Sequence, residues 1–311
     1  MRYQSELIMN AVSIFNSHAQ VQSQGVLHLN GRGEAAERGI GAATTMPDGV
    51  GKGAAHGGYG GGPGPDYGGD PYGSVFSPTE YGSGGGNGSG EGGRGGGRLF
   101  WDVAGLIEVD GLLAAYGNPG AGTDAGGGSG GSILIRTTNI TGHGVMSVKG
   151  GEGQGRGGGG SGGRIGVHCR WRYQYGGRYE NYGGLGQGQW MRSHAGAAGT
   201  TYIEENLREL EYRHKKYDPV LNTTFLAVDH THVHADNNYA YSPAPTMLMD
   251  PGRFLYELNE LELLGSTRLL ISTPTSAARW RSSSTRSSGT RRVRSTFVTT
   301  RSCSLRLWSP C

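Results

Sequence analysis

The chain has 311 residues, of which 62 are glycine, 34% are hydrophobic and only 17% are charged, and its formal net charge is +3. Abundant glycine without a strict Gly-X-Y period excludes a collagen, and three cysteines are too few for a disulfide-stapled scaffold. No segment approaches the ~20 consecutive apolar residues of a membrane span, so we expect no membrane insertion.

The first predicted element is a partial β-helix turn in residues 1–33, where ELIMNAVSIF is followed by GVLHLNG at Gly25–Gly31. The start of the chain lacks the apolar region of a signal peptide, and we interpret this as a chain that begins inside a longer secreted protein. Residues 34–94 follow as a Gly-rich insertion. Because this insertion has no apolar pattern, we expect it to be mobile.

Residues 95–183 contain an internal repeat. The blocks GLLAAYG at Gly111–Gly117 and GVMSVKG at Gly144–Gly150 resemble the earlier GVLHLNG. The Gly-rich segments around Ser129 and Ser161 recur with the same period, about 32 residues. The apolar blocks have the alternation of β-strands, as in RIGVHCR. A repeat with a single apolar face buries that face by stacking on its neighbours.

The pattern predicts an all-β fold, a right-handed parallel β-helix or solenoid with residues 95–183 as its core. We expect the long Gly-rich loops to leave the turns on the outside, where glycine and serine tolerate the backbone angles of the corners. An alternative is a bundle of polyglycine-type helices, as in the Gly-rich domain of some receptor kinases. That alternative requires long uninterrupted glycine runs, and the regularly spaced apolar blocks argue against it.

The repeat fades towards the carboxyl terminus. Residues 184–272 are predicted to continue or cap the β-helix, with a short helix at residues 205–218. No acidic residue follows Glu262, so residues 273–311 form a basic Ser/Arg-rich tail. Since the tail has no periodicity, we expect it to be disordered or to be an out-of-frame translation.

The combination of GGGSGGS, ILI, GVMSVKGG and GGGSGGR-IGV resembles very large, secreted Gly-rich repeat proteins of eukaryotes and bacteria. The resemblance covers residues 5–33 and 95–170, and the segments AAGTTYIEEN at 197–206 and FLAVDH at 225–230 are similar to motifs that follow such repeats. It implies an adhesin-like right-handed parallel β-helix, located outside the cell or on its surface. The resemblance indicates a fold more than a function, and the function we favour is that of a structural or adhesive surface protein of which this chain is a fragment, with glycans or extracellular matrix as partners.

One candidate metal site lies in DHTHVHAD. On a strand, His230, His232 and His234 place three imidazoles on the same side, as a three-histidine site requires. Asp229 or Asp236 is then placed to complete or orient the site. An exposed polar strand face is the alternative interpretation, and no cofactor is predicted.

The alternative function is a β-helix that binds or cleaves polysaccharide. Its candidate acid and base are Glu108 and Asp110, with Asp102 nearby, because such enzymes work with paired carboxylates. The competing interpretation is an ordinary outward strand face. The interleaved arginines and tyrosines of residues 170–184 suit glycan binding as well as a packed loop. Apart from this lyase or hydrolase alternative, no enzymatic activity is predicted.

Three glycosylation sequons begin at Asn87, Asn139 and Asn222, which fits an extracellular location. The Gly tracts lack the GKS or GKT ending of phosphate-binding loops. The body of the chain has no concentration of basic residues, so no nucleic-acid partner is predicted.

Overall fold

The computed structural model describes residues 6–8, 10–63, 67–187, 194–206, 222–230, 244–248, 255–258, 260–265, 267, 269–271, 278–281, 298–299 and 303–305. None of these residues is in a helix, and they form nineteen strands. The strands are β1 (Glu6–Ile8), β2 (Ala11–Asn16), β3 (Ala19–Val21), β4 (Val26–His28), β5 (Arg98–Val109), β6 (Leu112–Ala114), β7 (Ser132–Gly142), β8 (Val145–Ser147), β9 (Arg164–Tyr175), β10 (Arg178–Glu180), β11 (Thr200–Asn206), β12 (Asn222–His230), β13 (Thr246–Leu248), β14 (Leu255–Glu257), β15 (Glu260–Gly265), β16 (Leu269–Ile271), β17 (Ala278–Arg281), β18 (Val298–Thr299) and β19 (Cys303–Leu305).

Two stacked sheets form the solenoid. The small sheet has the order β1-β4-β6-β8-β10, and the large sheet has the order β15-β12-β11-β9-β7-β5-β2, with β3 also on β5. Every pair in the small sheet is parallel. In the large sheet only the β11–β12 pair is antiparallel. The chain alternates between the sheets, and this confirms the predicted all-β parallel β-solenoid.

The core lies between the two sheets. Leu99, Ile133 and Ile165 are in register on three neighbouring strands of the large sheet, and each is at most 1% exposed. Leu113 and Met146 form the corresponding buried ladder of the small sheet. Each such side chain contributes about 1.5–3 kcal/mol of burial. The alternation and the period of the sequence thus predict both the inward face and the stacking.

The Gly-rich segments do not leave the turns as outer loops, which corrects the expectation for them. They are buried, and the successive backbone N–H groups of residues 126–131 donate hydrogen bonds to three neighbouring segments in turn. The donor–acceptor pairs are Gly127–Gly158 and Gly130–Ser161, Gly126–Gly86 and Ser129–Ser83, and Gly128–Asn118 and Gly131–Ala115. A period of three residues is that of a polyproline II-type helix. We call this assembly of buried Gly-rich segments the glycine bundle.

Glycine is required in the bundle because the backbones approach too closely for a Cβ atom. A Cβ at Gly160 would overlap the carbonyl of Gly128, and one at Gly130 would overlap the carbonyl of Val148. The requirement therefore comes from packing, as at the axis of collagen. Our prediction was wrong in two respects: special corner angles do not explain these glycines, and polyglycine-type packing coexists with the strands instead of competing with them.

The serines of the repeat have a role of their own in the bundle. The Oγ atoms of Ser83, Ser129 and Ser161 are buried, and each accepts a backbone N–H of a neighbouring segment. Gly41 donates to Ser83 at 3.0 Å, Ser83 donates to Ser129 at 2.8 Å, and His56 donates to Ser161 at 2.7 Å. A buried amide without a partner costs about 1–3 kcal/mol. Serine in GGGSGG thus stabilises contacts between segments.

Residues 34–94 supply central parts of the bundle, which differs from the mobile insertion we expected. Gly51 and Ala54 donate to Asp124 and Gly127, and Gly61 donates to Gly159. Backbone packing of this kind needs no apolar pattern, and for that reason the sequence reads as an unstructured insertion. The division of the chain into segments otherwise stays a prediction.

Residues 75–76 and the later part of the chain form a second apolar core against the outer face of the large sheet. This core includes Phe76, Tyr202, Leu226, Leu248 and Tyr256. Residues 205 and 206 of the helix predicted at residues 205–218 belong instead to strand β11, and residues 207–218 lie outside the described residues. Within the tail predicted to be disordered, the described residues are those of β17, β18 and β19, and the rest lies outside the description.

Candidate functional site

The outer face of the large sheet carries the exposed side chains that are candidates for function. On β5 the buried residues alternate with Arg98, Phe100 and Asp102, which therefore point outward. Asp102 is in register with Arg136 on β7. Arg136 is in register with His168 on β9. The strand pairing thus brings an acid and two basic residues from separate repeats into one row.

One part of this outer face is covered by residues 72–81, which we call the strap. The carbonyl oxygen of Phe76 in the strap lies 2.7 Å from Nε2 of His168, while Nδ1 of His168 lies 2.9 Å from Oε2 of Glu204. Ser132 donates its hydroxyl to the carbonyl of Glu80 at 2.7 Å. His168 therefore links the sheet to the strap, and it is not free for a ligand.

The open part of the face displays aromatic rings and arginines. Phe15 is 69% exposed, and its ring centroid lies 5.6 Å from that of Phe100 in an edge-to-face arrangement. Cζ of Arg136 lies 5.4 Å from the Phe100 ring centroid. Cζ of Arg98 lies 4.6 Å from the ring centroid of Tyr81 in the strap. We call Phe15, Arg98, Phe100, Asp102 and Arg136 the aromatic–arginine patch.

A β-bulge displays a further arginine and aromatic residue beside the patch. The register between β7 and β9 shifts after Thr137, so that β9 has one extra residue. Cys169 before the shift is buried, whereas Arg170 and Trp171 are exposed, Trp171 to 38%. In the sequence, the exposed arginine and aromatic residue at this bulge are indicated by the interleaved arginines and aromatic residues of the segment.

The carboxylates proposed as an acid–base pair, Glu108 and Asp110, are two residues apart, about 7 Å along the chain, which lies within the about 5–9.5 Å of paired catalytic carboxylates. Asp102 is six residues from Glu108 on β5, roughly 20 Å along the strand, and is not brought to the pair. Oε2 of Glu108 accepts a hydrogen bond from Gln20 at 2.6 Å, and Oδ1 of Asp110 accepts the N–H of His143 at 2.9 Å. Glu108 and Asp110 thus already have partners within the protein, and their catalytic role, like that of Asp102, stays a prediction.

The histidine cluster lies largely beyond the described part of the chain. His230 is the last residue of β12, and His232 and His234 lie outside the described residues. Among the residues that are described, no three His, Cys, Asp or Glu side chains come together as metal ligands. The metal site stays a prediction.

The three sequon asparagines occupy different environments. Oδ1 of Asn87 accepts the N–H of Gly92 at 2.9 Å at the edge of the bundle. Asn139 is half-buried on β7, next to the fully buried Ile140. Asn222 begins β12. Their glycosylation stays a prediction.

A buried polar centre, which the sequence analysis missed, joins the strap, the sheet and the bundle. Arg164 is fully buried, and it donates to the carbonyl of Tyr72 at 3.0 Å and to the hydroxyl of Thr200 at 3.1 Å. The ring of His56 stacks on Tyr72 with centroids 4.6 Å apart. Burial, and secondarily the charge of Arg164, lower the pKa of His56 to about 3, so the ring is neutral. These partners are structural, and they give the centre a role in stability.

Comparisons with protein-family models, curated proteins and solved structures found no match to this chain. The resemblance to secreted Gly-rich repeat proteins therefore stays a prediction. In the part of the chain that the structure describes, no helix has the length and apolar character needed to cross a membrane.

Proposed function

We propose that this chain is a structural or adhesive module of an extracellular or cell-surface protein. The observation that supports the proposal is that a scaffold and an exposed patch of side chains occur together in one structure. The solenoid and the glycine bundle form a scaffold stabilised by backbone hydrogen bonds, and that scaffold displays an open patch of aromatic and arginine side chains.

The scaffold suits a load-bearing role for a physical reason. Each turn pairs with the turns on both sides, so the loss of one turn also exposes its neighbours. The bundle adds backbone contacts between segments far apart in sequence, such as Gly61 with Gly159 and Gly57 with Gly162. A stiff support of this kind holds surface residues in constant relative positions, which favours binding because little ordering entropy is lost.

The second candidate function, carbohydrate binding, is favoured by one specific observation. Phe15 is exposed beside Phe100 and Arg136, on the sheet face that the alternative function assigned to polysaccharide. Exposed aromatic residues grouped with arginines are typical of interaction surfaces. Cleavage is less favoured than binding, because the Glu108 and Asp110 carboxylates are already bonded to Gln20 and to the backbone N–H of His143, while Asp102 lies roughly 20 Å from Glu108 along β5.

The adhesive role is tested with microspheres coated with the protein and passed under flow over glycan-coated and matrix-coated surfaces. Wild-type beads should be retained more strongly than albumin-coated beads, and Phe15→Ser should lower retention several-fold. Ile40→Ser is the matched control, because Ile40 is 71% exposed and Phe15 is 69% exposed. Wild-type beads that behave like albumin beads on every surface would reject the adhesive role. Equal retention of the two variants would show that this patch is not the adhesive face.

A further inference from the structure

Two arginines of the aromatic–arginine patch each lie against an aromatic ring, Arg98 against Tyr81 and Arg136 against Phe100. Arg98 and Phe100 are both outward on β5, two residues or about 7 Å apart along the strand. Arg98 is anchored by the Tyr81 ring and by a hydrogen bond of 3.2 Å to the carbonyl of Thr79. Arg136 lies over Phe100 from the neighbouring strand. Anchored guanidinium groups lose little freedom when they bind, and their planar forks match carboxylates.

Asp102 limits which anion can occupy the patch. Its register partner is Arg136, so a ligand held by Arg136 also lies close to this carboxylate. An ionised carboxylate only accepts hydrogen bonds, and it repels a ligand whose negative charges are closely spaced. The patch therefore favours a ligand that has a single carboxylate beside hydroxyl donors, and it disfavours a densely charged polymer such as a nucleic acid.

The apolar part of the patch indicates the rest of the ligand. Phe15 and Phe100 offer ring surfaces for apolar C–H groups, with Phe15 the more exposed. The patch consists of five residues, whereas each partner of a stable protein–protein interface contributes about 20–30 residues. The patch therefore suits a small unit such as a sugar better than a protein surface. The combination of a carboxylate, hydroxyl groups and a C–H face is found in a uronic acid.

We propose that the aromatic–arginine patch binds a carboxylated polysaccharide, and this proposal rests on the carbohydrate-binding function given above as the second candidate. A uronate carboxylate pairs with Arg136, with Arg98 as the second cation along the strand. Hydroxyls of the same sugar donate to Asp102, and its C–H face packs against Phe15 and Phe100. A polymer with repeated uronate units then binds many copies of the protein at once, which strengthens weak single contacts.

The test measures binding of the full chain to immobilised polygalacturonate and to the same polymer after its carboxylates are reduced to alcohols. We expect binding that weakens between about 50 mM and about 300 mM NaCl and that is lost on the reduced polymer. Arg136→Gln should weaken binding about 10-fold. Arg38→Gln, which removes an equal charge from an exposed side chain outside the patch, should change binding less than about 2-fold. Circular dichroism melting confirms that both variants are folded.

A further variant separates the sugar from a dense polyanion. Asp102→Asn should shift the preference of the protein from polygalacturonate towards dextran sulfate and single-stranded DNA. The charged acceptor for ligand hydroxyls becomes a weaker neutral acceptor, and the charge that repels a dense polyanion is lost. An unchanged preference in Asp102→Asn, or a wild-type preference for dextran sulfate or DNA, would overturn the proposal. So would equal binding to the reduced polymer, or equal losses in Arg136→Gln and Arg38→Gln.

The outcomes also distinguish this proposal from the adhesive function. If beads adhere through Phe15 but the protein ignores polygalacturonate, the adhesive role stands and the carboxylated ligand is rejected. If polygalacturonate binds as expected but coated beads are never retained, the binding site stands and the adhesive role is rejected.

Discussion

The close packing of the glycine bundle is tested most directly by the substitution Gly160→Ala. A Cβ at this position would overlap the carbonyl group of Gly128. That carbonyl accepts the N–H of Gly151 at 2.8 Å, and Gly160 itself donates to Gly151 at 2.8 Å. The added methyl group must therefore displace a backbone that is held by hydrogen bonds on both sides.

The expected cost follows from three contributions. Overpacking costs about 1–3 kcal/mol, and a buried amide that loses its acceptor costs about 1–3 kcal/mol. Replacing glycine lowers the entropy of the unfolded chain and returns about 0.4–1 kcal/mol. The net loss in free energy of unfolding is about 3 kcal/mol, which corresponds to a melting temperature lower by about 6–12 °C.

Gly176→Ala is the matched control for this substitution. A Cβ at Gly176 would meet the ring of His143 at 3.1 Å, and the His143 side chain is 83% exposed and free to move. Neither glycine has a positive φ, so backbone strain does not separate the two variants. The measurement is thermal and urea unfolding followed by circular dichroism, and Gly176→Ala should melt within about 2 °C of the wild type.

A Gly160→Ala protein as stable as Gly176→Ala would refute the reasoning. That result would mean that the backbones of the bundle are not close enough to exclude a methyl group. A loss confined to Gly160→Ala, with an unchanged far-ultraviolet spectrum at low temperature, supports packing as the reason for glycine.

Three further predictions concern the buried polar groups. Ser161→Ala should lower the free energy of unfolding by about 1 kcal/mol, because the N–H of His56 loses its 2.7 Å bond and keeps only the 3.3 Å bond to the carbonyl of Gly58, whereas Ser13→Ala on the exposed side of β2 should be neutral in urea unfolding. Arg164→Leu should destabilise by about 3 kcal/mol or more, since it leaves the Thr200 hydroxyl and a carbonyl without a donor; a melting temperature equal to that of the wild type would contradict this. The pKa of His56, about 3, lies below its ordinary 6.5, so the unfolded chain binds the proton first. Stability is therefore fully present above the ordinary pKa and falls as the pH drops towards 3. The urea midpoint between pH 7 and pH 4 should fall less steeply in His56→Asn than in the wild type.

The strands and their stacking could be predicted from the sequence because they depend on side-chain pattern. In RIGVHCR the alternation identifies Ile165, Val167 and Cys169 as inward, and all three are buried. The recurrence of Ser129 and Ser161 predicts the stacking, which the pairing of β7 with β9 confirms. Apolar alternation has a single low-energy arrangement on a sheet, since a shift by one residue would expose the whole inward face.

The bundle and the patch could not be predicted in the same way. The hydrogen-bond partners of Gly51 and Gly61 lie 73 and 98 residues away, at Asp124 and Gly159, and no side chain in the glycine tracts indicates them. The patch gathers Phe15, Phe100 and Arg136 from three repeats, and each of them alone is an ordinary outward strand residue. Their proximity follows from the register of β2, β5 and β7.

The sequence by itself determined the all-β parallel solenoid and its apolar ladders, because the alternation and the repeat of apolar residues identify the side chains that are buried. The abundance of glycine also indicated that glycine has a structural role in this fold. The tertiary structure alone decided why: glycines distant in sequence pack backbone against backbone, so that residues 34–94 are built into the scaffold and Arg164 is buried among them. Contacts made by backbone atoms leave no distinctive side chain to mark their partners, and only the folded chain shows which segments meet.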